Sequence, residues 1–124
     1  MSEHGTFCWN ELMTGDVEKA KEFYTKLVGW DTQDWSGAIP YTIFKAGDKQ
    51  VGGMMQITEQ MGNVPPHWMA YVAVDDVDKV AVDAETLGGT ILVPPTDIPG
   101  VGRMTCVQDP TGAVLSFMTF AKQE

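Results

Sequence analysis

Apolar and polar residues follow two rhythms along the chain, one of period two and one of about 3.6. Runs rich in aromatic and β-branched side chains, Phe7 to Met13 and His67 to Val74, predict strands. Each gives way to helical spacing. Val17, Ala20, Phe23, Tyr24, Leu27 and Val28 fall on one helix face, with Asp16 as N-cap and Glu22 to Lys26 as a favourable i,i+4 pair. Val77, Val80, Ala81, Ala84 and Leu87 repeat the pattern behind Asp76, and Gly88-Gly89 stops it. Both helices are expected to bury one stripe. Three short strands are predicted after each helix, at about 30–35, 41–46 and 51–58, then at about 90–94, 102–108 and 113–120. The gaps carry turn chemistry: Ser36-Gly37-Ala38-Ile39-Pro40, Gly47-Asp48-Lys49, Pro94-Pro95 with Pro99-Gly100, and Asp109-Pro110-Thr111-Gly112.

The two halves are copies of one pattern. Gly15-Asp16-Val17-Glu18-Lys19-Ala20 aligns with Asp75-Asp76-Val77-Asp78-Lys79-Val80 at an offset of 60, which also pairs Leu27 with Leu87 and Gly29 with Gly89. The reading is a single domain of the α+β class: a βαβββ module over about 6–58, a linker at 59–66 containing Gly62, Asn63 and Pro65-Pro66, and a second module over about 67–121. Its 124 residues suit one domain with a real core.

Charge then narrows the partners. Eight Lys and Arg against 17 Asp and Glu leave a net charge of −9, with no basic run to meet phosphates, so nucleic acid and anionic membrane are set aside. No apolar stretch approaches the roughly 18 residues of a membrane span, and the first residues carry no secretory pattern, so a cytoplasmic protein is expected. Cys8 and Cys106 lie in apolar runs without metal or redox spacing and are read as packed thiols.

A four-stranded sheet covered by a helix on one face leaves the other free to line a site. Alternation puts Phe7, Trp9, Glu11 and Met13 on one face of the first strand and Cys8, Asn10 and Leu12 on the other; His67, Met69 and Tyr71 separate from Trp68, Ala70 and Val72, and Ser116, Met118 and Phe120 from Leu115, Phe117 and Thr119. The free face is aromatic and rich in methionine. Such a face also suits ordinary core or a dimer seam. Glu11 departs from that composition: a carboxylate between Trp9 and Met13 must be paired, solvated or raised in pKa, and it is the candidate catalytic group. Arg103, on another predicted strand, is its expected partner. No nucleophile elbow and no phosphate-cradling glycine loop is present, and Gly52-Gly53 reads as a strand bend or a close backbone approach.

The duplicated βαβββ unit, Asp16-Val17-Glu18-Lys19-Ala20 with Phe23-Tyr24 and Leu27-Val28-Gly29-Trp30, Val74-Asp75-Asp76-Val77, and Asp109-Pro110-Thr111-Gly112 before the last strand together resemble the vicinal oxygen chelate superfamily of glyoxalase I, extradiol dioxygenases, fosfomycin-modifying enzymes and bleomycin-resistance proteins. The resemblance runs from about residue 6 to 121. It implies modules curled into a half-open barrel around a small-molecule pocket, often completed in a homodimer. It also implies that metal ligands, where a member uses them, stand at the positions of Trp9, Met55, Met69 and Ser116. Indole, thioether and a lone hydroxyl are poor ligands for a divalent metal, so no cofactor is expected, with a metal held by His67 and Glu11 as the alternative. His4 falls in a loose tail.

Three functions follow. The first is a metal-free protein that binds an apolar or aromatic ligand in a pocket of Trp9, Glu11, Trp30, Met55, His67, Met69, Tyr71, Arg103, Ser116 and Met118. The second is a metal-dependent lyase, isomerase or dioxygenase. The third is a non-catalytic dimeric module whose apolar face is an interface.

Overall fold

The computed structural model describes residues 3–35, 40–59 and 64–121. Element order is β1 (Phe7–Thr14), α1 (Val17–Val28), β2 (Asp31–Trp35), β3 (Tyr41–Ala46), β4 (Lys49–Gln56), β5 (His67–Ala73), α2 (Val77–Thr86), β6 (Thr90–Ile98), β7 (Gly102–Gln108) and β8 (Val114–Phe120). This is the βαβββ pattern twice over, in the α+β class. The turn at 36–39 and the linker residues 60–63 lie outside the described residues. No described helix is long and apolar enough to cross a membrane.

Two compact units emerge, Trp9–Met69 and a second made of Ala70 onward with the residues up to Cys8. In the first unit the strands run β2-β3-β4-β1; β1 and β4 are parallel, the other pairs antiparallel. The second repeats this as β5-β8-β7-β6, with β5 and β8 parallel. The chain start belongs to the second unit because Gly5 N–H donates to Ala73 O at 2.7 Å and Ala73 N–H to Thr6 O at 2.8 Å.

Each helix begins where an aspartate can cap it. Asp16 accepts from Lys19 N–H, and Asp76 accepts from both Asp78 and Lys79 N–H, which satisfies donors that have no partner within the helix. α1 ends on Gly29 at φ 76°, in the left-handed region that glycine enters without a Cβ clash. The expected stripes are buried unequally. Val17, Ala20 and Tyr24 of α1 pack on a core of Leu12, Phe44 and Met54, but Phe23, Leu27 and Val28 are exposed. In α2, Val77 and Ala81 are buried and Val80 packs beside Val72 and Val74, while Leu87 at the end of the stripe is exposed.

Some details differ from expectation: β4 stands at Lys49–Gln56 rather than about 51–58. β6 runs on to Ile98, through the Pro94-Pro95 pair read from the sequence as a turn. It is the outermost strand of its sheet, and its register against β7 shifts between Val93 and Thr96, so the two missing N–H groups fall where no ladder bond is lost. Trp68, at the start of β5, lies among Tyr24, Trp30 and Phe44 of the first unit, its indole N–H 3.2 Å from the Tyr24 hydroxyl.

Candidate functional site

Registered strand partners share a face, so the pairing ladder sorts the first unit's side chains. Leu12, Met54 and Thr42 line up on the side of α1, as do Phe44 and Gly52. The opposite side carries Glu11, Gly53 and Ile43 in one row, with Met13 and Met55 in the next and Trp35 paired to Tyr41 beyond.

On that face three polar groups form a line. Trp9 Nε1–H donates to the Tyr41 hydroxyl at 2.8 Å, and the Tyr41 hydroxyl donates to Glu11 Oε2 at 2.8 Å. Glu11 is only 9% exposed, so an acceptor bond to its carboxylate offsets part of the cost of withdrawing it from water. Gly53 makes room for this. A Cβ on Gly53 would collide with the Tyr41 hydroxyl and ring, so the tyrosine can cross diagonally over β4 because that residue has no side chain. Burial, then the charge of Glu11, hold the Tyr41 hydroxyl above the usual phenol range, against a smaller opposite pull from the Trp9 hydrogen bond.

Sequence reasoning singled out Trp9, Glu11 and Met55, and the structure brings all three to this face; it missed Tyr41. The available signal was the Gly52-Gly53 pair in a strand, which invites an aromatic ring from the neighbouring strand. Trp30 is elsewhere: its ring centroid lies 5.0 Å from that of Phe44 and 6.0 Å from that of Tyr24, in the core under α1. His67 is half-buried, with Nδ1 2.8 Å from Pro65 O; a carbonyl only accepts, so the proton lies on that nitrogen. Met69 is half-buried.

In the second unit Tyr71, Ser116 and Cys106 share a row and Met118 lies in the next with Ala73 and Met104, all on the side away from α2. Burial pushes the Cys106 thiol up, partly countered by a hydrogen bond from Ser116. Cys8 is raised by burial as well; both cysteines are free thiols. Arg103 corrects an expectation. Its guanidinium faces α2, donating to both Asp78 oxygens at 3.0 Å and to Asp97 Oδ1 at 3.0 Å, rather than to Glu11. Register explains this: Arg103 opposes Thr119, on the same side of the sheet as Phe117, which packs toward α2.

The positions that the resemblance gives to metal ligands hold an indole, two thioethers and a hydroxyl, and the one ring nitrogen among them carries a proton directed at Tyr41. Borderline and hard divalent ions call for imidazole, carboxylate or thiolate, and this set does not fit one. Among the described residues no three His, Cys, Asp or Glu side chains gather as they would around a metal.

Comparison with known proteins adds kinship to this geometry. Residues 6–117 match the model of the Glyoxalase/Bleomycin resistance protein/Dioxygenase superfamily. The chain is 40% identical over 126 residues to the putative glyoxylase CFP32 of Mycobacterium bovis and of Mycobacterium tuberculosis, covering all of this chain and 48% of theirs. It is 35% identical over 127 residues to the anthracycline biosynthesis protein DnrV of Streptomyces peucetius, covering 90% of this chain and 46% of that one. The chain thus spans about half the length of the curated relatives it matches. Among solved structures, the methylmalonyl-CoA epimerase of Mycobacterium tuberculosis superposes with a TM-score of 0.64 at 12% identity, over 98% of this chain and 93% of the other. The Streptomyces coelicolor methylmalonyl-CoA epimerase, in complex with 2-nitronate-propionyl-CoA, gives 0.65 at 15% identity, over 97% and 100%. At those identities the likeness is one of fold.

Proposed function

Since this chain belongs to the Glyoxalase/Bleomycin resistance protein/Dioxygenase superfamily, we propose that it binds a flat apolar or aromatic small molecule on the Glu11 face of its first unit, without the divalent metal many such proteins use. The observation that carries this is the Trp9–Tyr41–Glu11 line: a buried carboxylate that accepts from a phenol, which in turn accepts from an indole, flanked by Met13, Met55 and Ile43. Polarizable sulfur and aromatic edges attract a flat ligand, and one polar anchor orients it. The donor chemistry at Trp9, Met55, Met69 and Ser116 supports the metal-free reading. Kinship with an anthracycline biosynthesis protein supports small-molecule chemistry. A homodimer in the cytoplasm belongs to the same proposal; light scattering that returns the mass of one chain would remove the dimer.

The test is a panel of flat aromatics scored by thermal shift and by quenching of tryptophan fluorescence. At least one compound is expected to raise the melting temperature, with quenching lost in Trp9→Ala while the circular dichroism spectrum is kept. Elemental analysis of protein purified without chelators is the opposing arm. Near-stoichiometric divalent metal, lost in His67→Ala or Glu11→Gln, would replace this proposal with a metal-dependent lyase, isomerase or dioxygenase. No response to any compound, in a folded protein without metal, would leave the non-catalytic module.

A further inference from the structure

The line of three side chains on the first unit has a direction. Indole nitrogen donates and cannot accept. The Tyr41 hydroxyl, once it accepts from Trp9, has a single proton to give, and its second neighbour at 2.8 Å is Glu11 Oε2. Turning the Tyr41 proton back toward Trp9 would set two donors against each other, so the proton goes to the other neighbour, and Glu11 Oε2 is the acceptor at the end of the line. The geometry is enforced from below: Gly53 leaves the space the Tyr41 ring occupies, and Ile43, the same-face neighbour of Gly53, is 5% exposed. A fixed donor direction in an apolar setting costs no rearrangement when a ligand arrives.

We propose that Trp9 and Tyr41 act as a one-way hydrogen-bond chain that holds Glu11 as a charged acceptor, so that this face takes ligands presenting a hydroxyl or N–H and rejects ligands carrying a carboxylate. Tyr41 is a positioning residue in this scheme, acting through Glu11. The inference rests on the reading of this face as the ligand site, and it deepens that reading by naming the ligand's polar group. Two like charges at a poorly solvated site repel, and the chain's net charge of −9 adds to the rejection of anions. A neutral phenol, by contrast, makes a charge-assisted hydrogen bond to the carboxylate.

Two measurements test it separately. The first is the ¹H–¹⁵N spectrum of the four indoles, with Trp9 assigned by Trp9→Phe. Tyr41→Phe removes the acceptor of Trp9 Nε1–H, so the Trp9 signal is expected to move upfield while that of Trp68, bonded to Tyr24, stays. Glu11→Gln keeps an acceptor for the Tyr41 proton and should move the Trp9 signal less. An unmoved Trp9 signal in folded Tyr41→Phe would overturn the chain. The second compares 2-naphthol with 2-naphthoate, equal in flat area and opposite in polar character. The native protein should prefer 2-naphthol by about tenfold or more, a preference reduced in Tyr41→Phe and abolished in Glu11→Gln. Equal affinities, a preference for 2-naphthoate, or a preference untouched in both variants would overturn the selection. If neither compound binds the native protein, the ligand-site reading falls and takes the selection with it; the Trp9 signal still decides the hydrogen-bond chain.

Discussion

The two units share one topology and one register but not one chemistry. Glu11 opposite Gly53 and Ile43 in the first corresponds to Tyr71 opposite Ser116 and Cys106 in the second. In the first, a glycine lets Tyr41 swing across the sheet toward a carboxylate; in the second, a buried hydroxyl and thiol fill the equivalent row. The helix faces differ too. α2 buries Val77 and Ala81 against an aliphatic core, whereas α1 buries no residue fully and rests on the aromatic rings of Phe44, Trp30 and Trp68. The repeated βαβββ frame is common to both, and a single position, Gly53, leaves the space in which a phenol reaches the carboxylate of the first.

The largest break in this comparison should come from the aromatic core. Phe44 has no exposed surface and lies within 6.3 Å of three ring centroids. Phe44→Ala is expected to cost about 3–5 kcal/mol, read as a fall in the urea midpoint. Val77→Ala, the deletion beneath α2, removes two buried methyl groups and should cost about half as much. Equal losses would mean that the rings pack no better than the aliphatic cluster.

Next is the row where the copies diverge. Gly53→Ala forces the Tyr41 ring away and is expected to cost about 1–3 kcal/mol as overpacking. Its partner experiment, Ser116→Ala, removes a buried hydroxyl and should cost about 1 kcal/mol. Tyr41→Ala in the Gly53→Ala background should recover part of the loss, because the three atoms nearest the added Cβ all belong to the Tyr41 side chain. Strict additivity in chemical denaturation would argue against the crossing.

Periodicity and duplication made the frame legible. Strand three was read at 41–46 and strand seven at 102–108, and both stand there, as do both N-caps. The helical stripes were read too generously, since spacing tells which residues share a face but not how wide a strip of that face is covered; Tyr24 packs into the core while its neighbour Phe23 is exposed, as are Leu27 and Leu87. Face assignment by alternation found Glu11 and Trp9. It could not find Tyr41, which acts from a diagonal position, nor the Arg103 clamp, which depends on which β7 face meets α2. Pro94-Pro95 looked like a turn because sequence does not say that β6 is an edge strand.

A smaller contrast separates the helix starts. Asp76 accepts two backbone N–H bonds, at 3.0 and 3.2 Å, and Asp16 accepts one at 3.0 Å. Asp76→Ala and Asp16→Ala should each cost about 1 kcal/mol, the first somewhat more. A reversal in thermal midpoints would show that the α1 cap carries more than this bond count says.

The smallest effect lies in the β7–β8 turn and is a matter of pH. Asp109 accepts from Thr111 N–H at 2.7 Å, from the Thr111 hydroxyl at 2.6 Å and from Ala113 N–H at 3.1 Å. These bonds, led by the Thr111 hydroxyl, hold its carboxyl below the usual carboxylate range. A carboxyl that is more acidic folded than unfolded stabilises the fold above its unfolded pKa; that contribution fades as pH falls through the folded value. Asp109→Ala should therefore lower the melting temperature at neutral pH, and the gap to the native protein should close on acidification. Asp48, in the matching β3–β4 turn, has no side-chain hydrogen bond to its turn among the described residues, and Gly47 at φ 62° shapes that bend. Thr111→Val, which removes the hydroxyl donor and keeps the Asp109 carboxylate, should lower the neutral-pH melting temperature in the same direction by less, and no loss there would mean that this bond does not set the response.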